Sequence, residues 1–275
     1  MHDMSASIVV YKSNLDMLSE AINSFLKATS VSKLYIIDNS PTNEARTLAN
    51  HERIEYTFNN KNVGFGAGHN IALKKAIASG SRYHIALNPD VYFSPDALQR
   101  LFNFMEANPE VGLCMPKVLY PDGRLQPLCK LLPSPKILIF RRFLFFLKEF
   151  LARQNYYYEL QFTGYNRIMD VPFLSGCFMF LRIESLNKVG LFDERIFLYT
   201  EDVDLCRRIH QQYRTVFNPE VIIYHYHQRG NYKNGRLLLH NIRSAIQYFN
   251  KWGWLIDKER DLINQRALVR IGNEI

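Results

Sequence analysis

The sequence predicts an α/β protein with a mixed, mainly parallel sheet flanked by helices, ending in C-terminal helices. Three observations carry that prediction. Apolar, β-branched runs alternate with helical segments through the first hundred residues; polar residues gather where the predicted strands end; and 275 residues that are 47% hydrophobic can bury a substantial core.

Ser7 to Tyr11 forms the first strand, β-branched up to its tyrosine. A helix over about Leu15 to Ala28 follows, then a strand over Lys33 to Asp38, a helix over Asn43 to His51, a short strand over Ile54 to Phe58, a helix over Asn70 to Ser79 and a strand over Tyr83 to Leu87. This is the rhythm of βαβ units, whose ligands bind beyond the carboxyl ends of the strands, near the reversal of strand order. The residues at those ends are Tyr11, Asp38 with Asn39, the loop Asn59 to Asn70, and Asn88-Pro89-Asp90.

Further on, strand-like pieces at Gly112 to Pro116 and Val171 to Leu181 bracket a basic, aromatic insertion. At 100° per residue Arg141, Arg142, Lys148, Glu149 and Arg153 fall within an arc of about 140°, opposite Phe140, Phe143, Leu144, Phe146, Leu147, Phe150 and Leu151. Residues 136–153 therefore read as an amphipathic helix, suited either to covering the core or to lying in a membrane interface. Val221 to Tyr224 is a strand ending in His225 and His227, which share a face because they are two residues apart. A second amphipathic helix runs from about Arg236 to Trp252, and the tail after Asp257 reads as helical and basic.

The net charge of +8 favours an anionic partner, such as a nucleotide, a phosphorylated lipid or a membrane surface. The basic residues form no single compact stripe and no nucleic-acid motif is present, so nucleic acid is not expected. No run of eighteen apolar residues occurs and the chain opens directly into a strand, so a cytoplasmic location is expected. Cys114, Cys129, Cys177 and Cys206 are widely spaced and read as reduced, packed thiols.

The segment Phe192 to Leu205 gathers five carboxylates, Asp193, Glu194, Glu201, Asp202 and Asp204, beside an aromatic, apolar run. Such crowding suits a cation, a basic partner or proton transfer. A purely structural account is also open: Thr200 could cap a helix over Glu201 to Ile209, with the acidic residues complementing its dipole. Asp90 leaves the sheet after Asn88-Pro89, where it makes either a turn or a site. One carboxylate there can hold Mg²⁺ or Mn²⁺ if diphosphate oxygens complete the shell, which calls for a nucleoside diphosphate as partner.

The loop Asn59 to Asn70 contains Gly64, Gly66 and Gly68, but neither the Gly-x-Gly-x-x-Gly spacing of dinucleotide folds nor a P-loop lysine. Its amide side chains suit ribose or sugar hydroxyls. Within Val171 to Leu181, Ser175-Gly176 reads as a bulge or close backbone approach that could floor an acceptor site. A neutral imidazole at His225 or His227 could complete a metal site, and a structural histidine is the competing account.

In this order, Val9-Val10-Tyr11 with Ser13, Ile37-Asp38-Asn39-Ser40, Asn62-Val63-Gly64-Phe65-Gly66 through Asn70, Leu87-Asn88-Pro89-Asp90, Leu174-Ser175-Gly176, Gly190-x-Phe192-Asp193-Glu194, Tyr199-Thr200-Glu201-Asp202-Val203-Asp204-Leu205 and His225 resemble the inverting family-two glycosyltransferases. The branch they resemble is the bacterial rhamnosyltransferase type that builds O-antigen and other surface polysaccharides. The resemblance implies a GT-A fold over residues 1–235, with a nucleotide-sugar half (about 1–112), an acceptor half (113–235) and a helical extension (236–275). It implies donor contacts at Tyr11, Asp38, Asn39, Asn62, Gly64, Asn70 and Asn88, and acceptor contacts at Ser175 and Gly176. Asp90 would be the principal ligand of Mg²⁺ or Mn²⁺, with His225, or less readily His227, at the metal or diphosphate. Asn88 stands where the family has the first aspartate of Asp-x-Asp.

By the same resemblance Asp202 is the general base, with Glu201 as neighbour and alternative. The donor would be dTDP-rhamnose or a UDP-sugar, and the acceptor a saccharide on a lipid diphosphate at the inner face of the plasma membrane. A sugar-1-phosphate nucleotidyltransferase lacks support, since no glycine-rich basic loop follows Val10. A non-catalytic nucleotide-sugar-binding protein of the same fold remains the other reading.

Overall fold

The computed structural model describes residues 3–29, 32–143, 148–227 and 235–273. Strands β1 (Met4–Val10), β2 (Lys33–Asp38), β3 (Ile54–Phe58) and β4 (Tyr83–Leu87) run parallel in the order β3-β2-β1-β4. The chain steps outward from β1 to β2 and β3, then crosses to β4 on the other side of β1. Strand order thus reverses at the β1–β4 crevice, where Tyr11 and Asn88-Pro89-Asp90 leave the sheet next to one another.

The sheet continues through strands of mixed direction. After β5 (Val91–Phe93) and β6 (Val111–Leu119) come the short β7 (Cys129–Lys130), β8 (Met169–Asp170) and β9 (Phe173–Leu174), then β10 (Phe178–Arg182) and β11 (Arg214–His225). β10 lies antiparallel between β4 and β6, β11 runs parallel to β6, and β5 closes the edge antiparallel to β11. Because β5 begins directly after Asp90 and its Val91 pairs with His225, strand register brings that histidine beside the aspartate. β8 pairs with β11, while β7 and β9 form a separate ribbon in which Lys130 faces Phe173.

Helices α1 (Leu15–Ala28), α2 (Phe65–Ala78), α3 (Ala97–Ala107), α4 (Pro135–Phe143), α5 (Lys148–Tyr158), α6 (Ile183–Val189), α7 (Glu201–His210), α8 (Gly235–Trp252) and α9 (Lys258–Asn273) cover the sheet. α1 begins where Asn14 Oδ1 accepts the Met17 N–H at 3.0 Å, and it buries Leu18, Ala21, Ile22 and Phe25 at helical spacing. α1 and α3 pack on one core with β1, β2 and β4; α7, α8 and α9 enclose the other. Arg207 of α7, 1% exposed, forks onto both oxygens of Asp257 at 2.6 and 2.7 Å and stacks on Trp252, which ties the α8–α9 turn to the body.

Three local expectations change. The helix expected over Asn43 to His51 is a 3₁₀ turn over Glu44–Leu48. The helix expected from Asn70 starts at Phe65, because Gly66 and Gly68 serve helix packing: a Cβ on either would lie 2.8 Å from Phe192 or Val9. The single strand expected over Val171 to Leu181 is broken at Ser175-Gly176-Cys177 into β9 and β10, which join different sheets. Residues 144–147 of the expected 136–153 amphipathic helix lie outside the described residues; α4 and α5 stand on either side of them. All four cysteines are free and buried.

Beneath the β1–β4 crevice runs a buried polar chain. Ser7 Oγ lies 2.7 Å from His69 Nδ1 and 2.7 Å from His84 Nε2, and His84 Nδ1 lies 2.8 Å from Ser5 Oγ. Burial lowers both rings from 6.5 to about 3, so each stays neutral in the fold and takes up a proton near pH 6.5 when unfolded. Their contribution is complete above pH 6.5 and is lost as pH falls toward 3, at about 1.4 kcal/mol per pH unit for each ring. His69→Gln is expected to flatten the pH dependence of urea-unfolding free energy by that slope between about pH 6 and pH 4. Parallel wild-type and variant profiles would contradict it.

Candidate active site

Two grooves meet at Asp90. The smaller, about 230 Å³, is lined by Val9, Tyr11, Lys12, Ser13, Phe65 and Asn88-Pro89-Asp90. The larger, about 410 Å³, shares Phe65, Asn88 and Asp90 and continues past Ser175-Gly176, Tyr199 to Val203 and His225 to an apolar wall. Asp90 therefore stands between a groove that opens at Tyr11 and a cleft that contains Asp202.

His225 is held from behind. Gln126 Nε2 donates to the His225 carbonyl at 2.6 Å, which leaves Gln126 Oε1 to accept from His225 Nδ1 at 3.0 Å. The ring's other nitrogen, Nε2, lies 3.3 Å from Asp90 Oδ1 and 3.4 Å from Asn88 Nδ2. Asp90 Oδ1 and His225 Nε2 thus sit side by side where the two grooves meet. A carboxylate beside an imidazole suits Mn²⁺ when phosphate oxygens complete the shell, so the donor set fits that one of the two metals the resemblance implied. The described residues contain no group of three or more His, Cys, Asp or Glu side chains able to hold a metal by themselves, so the remaining ligands must come from elsewhere.

Across the cleft the chain turns sharply. Tyr199 and Thr200 both adopt left-handed backbone, at φ 68° and 60°, and deliver Glu201 and Asp202 to the first turn of α7. Thr200 does not cap this helix: its side chain makes no cap bond and its Oγ1 is buried without a partner among the described residues. Asp202 Oδ2 accepts the Gly176 N–H and Oδ1 accepts the Val203 N–H, each at 2.9 Å. A Cβ on residue 176 would lie 3.2 Å from the Asp202 Cβ, so the close approach anticipated at Ser175-Gly176 is an approach to this carboxylate.

Burial raises the pKa of both carboxylates. Glu201 is pushed furthest, by burial and by the Asp202 charge, and its Oε2 is buried without a partner. For Asp202 burial is opposed by the Gly176 N–H, the Lys130 charge and the Val203 N–H. Two backbone N–H groups stabilise a charge on Asp202 and none reaches the buried Glu201 Oε2, so negative charge is better held on Asp202 than on Glu201.

The structure brings Tyr11, Asn88, Asp90, Ser175, Gly176, Glu201, Asp202 and His225 to these grooves. The other predicted donor residues do not line either groove. Asp38 is buried, accepting from Ser40 N–H at 2.8 Å and Tyr56 O–H at 2.6 Å. Asn39 bonds Gly64 O and Asn59, and Asn62 Oδ1 accepts the Gly64 N–H, so these amides hold the loop's own shape. Gly64, at φ 95°, lies where a Cβ would be 2.3 Å from Phe197 O, which locks the start of α2 onto the segment before Thr200. Asn70 is spent on Phe192 N–H, Phe192 O and Glu194.

The other acidic residues are scaffold: Asp193 holds Arg195 and Lys251, while Asp204 holds Arg208, Lys251 and Trp252. Sequence reasoning missed Phe65, which lines both grooves, Lys12, and Lys130 in the larger cleft. Phe65 sits inside the glycine loop already singled out, whereas nothing local marks Lys130.

Residues 5–190 match the profile of Glycosyl transferase family 2, and the chain belongs to that family. A low-salt glycan biosynthesis hexosyltransferase of Haloferax volcanii is 22% identical over 223 residues, covering 81% of this chain and 66% of the relative. An N-acetylglucosaminyl-diphospho-decaprenol L-rhamnosyltransferase of Mycobacterium tuberculosis is 30% identical over 168 residues, 59% of this chain and 53% of the relative. The chain thus spans between half and two-thirds of the length of these relatives.

Among solved structures, GalNAc-T7 with UDP, GalNAc and Mn²⁺ superposes with a TM-score of 0.64 at 14% identity, over 90% of this chain and 48% of that one. The mannosyltransferase PcManGT from Pyrobaculum calidifontis, in complex with GDP-Man and Mn²⁺, gives 0.59 at 13% identity, over 98% and 75%. The fold is the GT-A fold of these glycosyltransferases.

Proposed function

We propose that this chain is an inverting, metal-dependent glycosyltransferase moving a sugar from a nucleoside diphosphate to a saccharide carried on a lipid diphosphate, in surface-polysaccharide assembly. The observation that carries the reading is the juxtaposition of the Asp90–His225 pair and the backbone-held Asp202 carboxylate in one cleft, with a groove running from Asp90 to Tyr11. The groove suits the nucleotide, with the Tyr11 ring, 48% exposed, offering a face for the base.

Asp202 takes the proton of the acceptor hydroxyl as that oxygen bonds to the anomeric carbon and the bond to the diphosphate breaks. Asp90 and His225 would hold the divalent cation, which when bound would supply charge neutralisation for the departing diphosphate. Glu201, holding its proton, donates a hydrogen bond to an acceptor oxygen and leaves the adjacent negative charge on Asp202. Attack from the side opposite the leaving group inverts the centre, and no covalent intermediate on the enzyme is needed.

L-Rhamnose, as dTDP-rhamnose, is the first choice, the sugar supported by the mycobacterial relative's name; a UDP-hexose or UDP-N-acetylhexosamine is the alternative, the hexose supported by the haloarchaeal relative's name. Among the described residues no helix is long and apolar enough to cross a membrane. Thermal unfolding across a panel of nucleotide sugars tests the donor reading. One nucleoside-diphosphate sugar is expected to raise the midpoint in Mn²⁺ and not in EDTA; a panel without any shift would contradict it.

A further inference from the structure

The larger cleft holds three carboxylates, Asp90, Glu201 and Asp202, and among the described residues that line it Lys130 is the only lysine or arginine. Lys130 is placed by the β7–β9 ribbon, opposite Phe173, with its ammonium 5.4 Å from that ring's centre. Leu128, Pro133, Leu138 and Phe173 line the same cleft and give it an apolar wall. The Lys130 charge favours the ionised form of Asp202.

One cleft thus combines carboxylates, one ammonium and an apolar surface. A neutral saccharide has no group for the ammonium or the apolar surface. An amphiphile with an anionic group between its sugar and its hydrocarbon has a group for each.

We propose that Lys130 is the acceptor-side anion contact, holding the diphosphate of a prenyl-linked acceptor while Leu128, Pro133, Leu138 and Phe173 receive the first part of the prenyl chain. This rests on the lipid-diphosphate acceptor proposed above and adds the residue that recognises it. The ammonium makes charge-assisted hydrogen bonds to phosphate oxygens, and the apolar wall lowers the screening of that attraction. Lys130 is then a specificity residue that separates lipid-diphosphate acceptors from neutral glycosides.

Isothermal titration with geranyl diphosphate tests this, run in EDTA so that a metal-bound donor site stays out of the measurement, with geraniol and inorganic pyrophosphate as comparison ligands. The wild type is expected to bind geranyl diphosphate more tightly than either. Lys130→Met is expected to weaken geranyl diphosphate at least about tenfold and geraniol by less than about twofold, while Lys130→Arg stays within about threefold of wild type. Equal binding of geranyl diphosphate by wild type and Lys130→Met would overturn the role of Lys130 and leave the acceptor reading standing. No binding by the wild type, while it still binds a nucleoside diphosphate in Mn²⁺, would overturn the lipid-diphosphate acceptor and the Lys130 contact with it, but not glycosyl transfer.

Discussion

Asp202→Asn is expected to lower kcat by at least about a hundredfold while nucleotide-sugar binding survives. The amide oxygen of asparagine can keep one of the two N–H groups that hold the native carboxylate, that of Gly176 or that of Val203, each at 2.9 Å, and gives up the other, so the change removes the base at nearly the same volume. Glu201→Gln supplies the contrast. In the proposed mechanism Glu201 keeps its proton, so an amide that also donates a hydrogen bond is expected to retain most of the turnover. The pair also sets a pH dependence: since Asp202 must be ionised and its pKa is raised, wild-type activity falls as pH drops through it. If Asp202→Asn turned over near the wild-type rate while Glu201→Gln did not, the two roles would have to be exchanged.

Asp90→Ala is expected to abolish the Mn²⁺-dependent part of donor binding. With ligand at about a hundred times its Kd, binding raises stability by about 2.7 kcal/mol, or about 5–10 °C in midpoint for a chain of this size. That shift should disappear in the variant, and Asp90→Asn should behave alike, because the neutral amide removes the charge facing His225 Nε2 but keeps the volume. Comparing shifts within each variant separates donor binding from any change in intrinsic stability. A nucleotide-induced shift that is equal in Mn²⁺ and EDTA for the wild type would contradict the cation site itself.

The polar residues at strand ends were legible because period-two strands and their breaks locate the sheet's carboxyl edge without any tertiary information. Tyr11, Asp90, Asp202 and His225 are all at such ends or at the first turn of a helix, and the structure brings them to one place. Asn39, Asn62 and Asn70 carry the same chemical types but spend them on Gly64, Phe192 and the loop itself. Composition reveals which donors a loop contains, and only folding decides whether they face a ligand or the backbone.

Lys130 illustrates the converse. It enters the cleft through a two-residue ribbon pairing β7 with β9, 43 positions away in register, and no local pattern foretells such a contact. The early start of α2 has a similar cause. Glycines that permit loops also permit helices to touch strands, and it is Val9 and Phe192, distant in sequence, that choose between them.

A single base opposite a cation site would transfer the sugar directly, with no enzyme-bound intermediate. The decisive measurement is the configuration of the sugar first released when the wild type, in Mn²⁺, transfers from its nucleotide donor to water, followed by proton NMR before mutarotation. The anomeric centre is expected to be inverted relative to the donor, with release suppressed in Asp202→Asn. Retained configuration in the first-formed sugar would contradict the account.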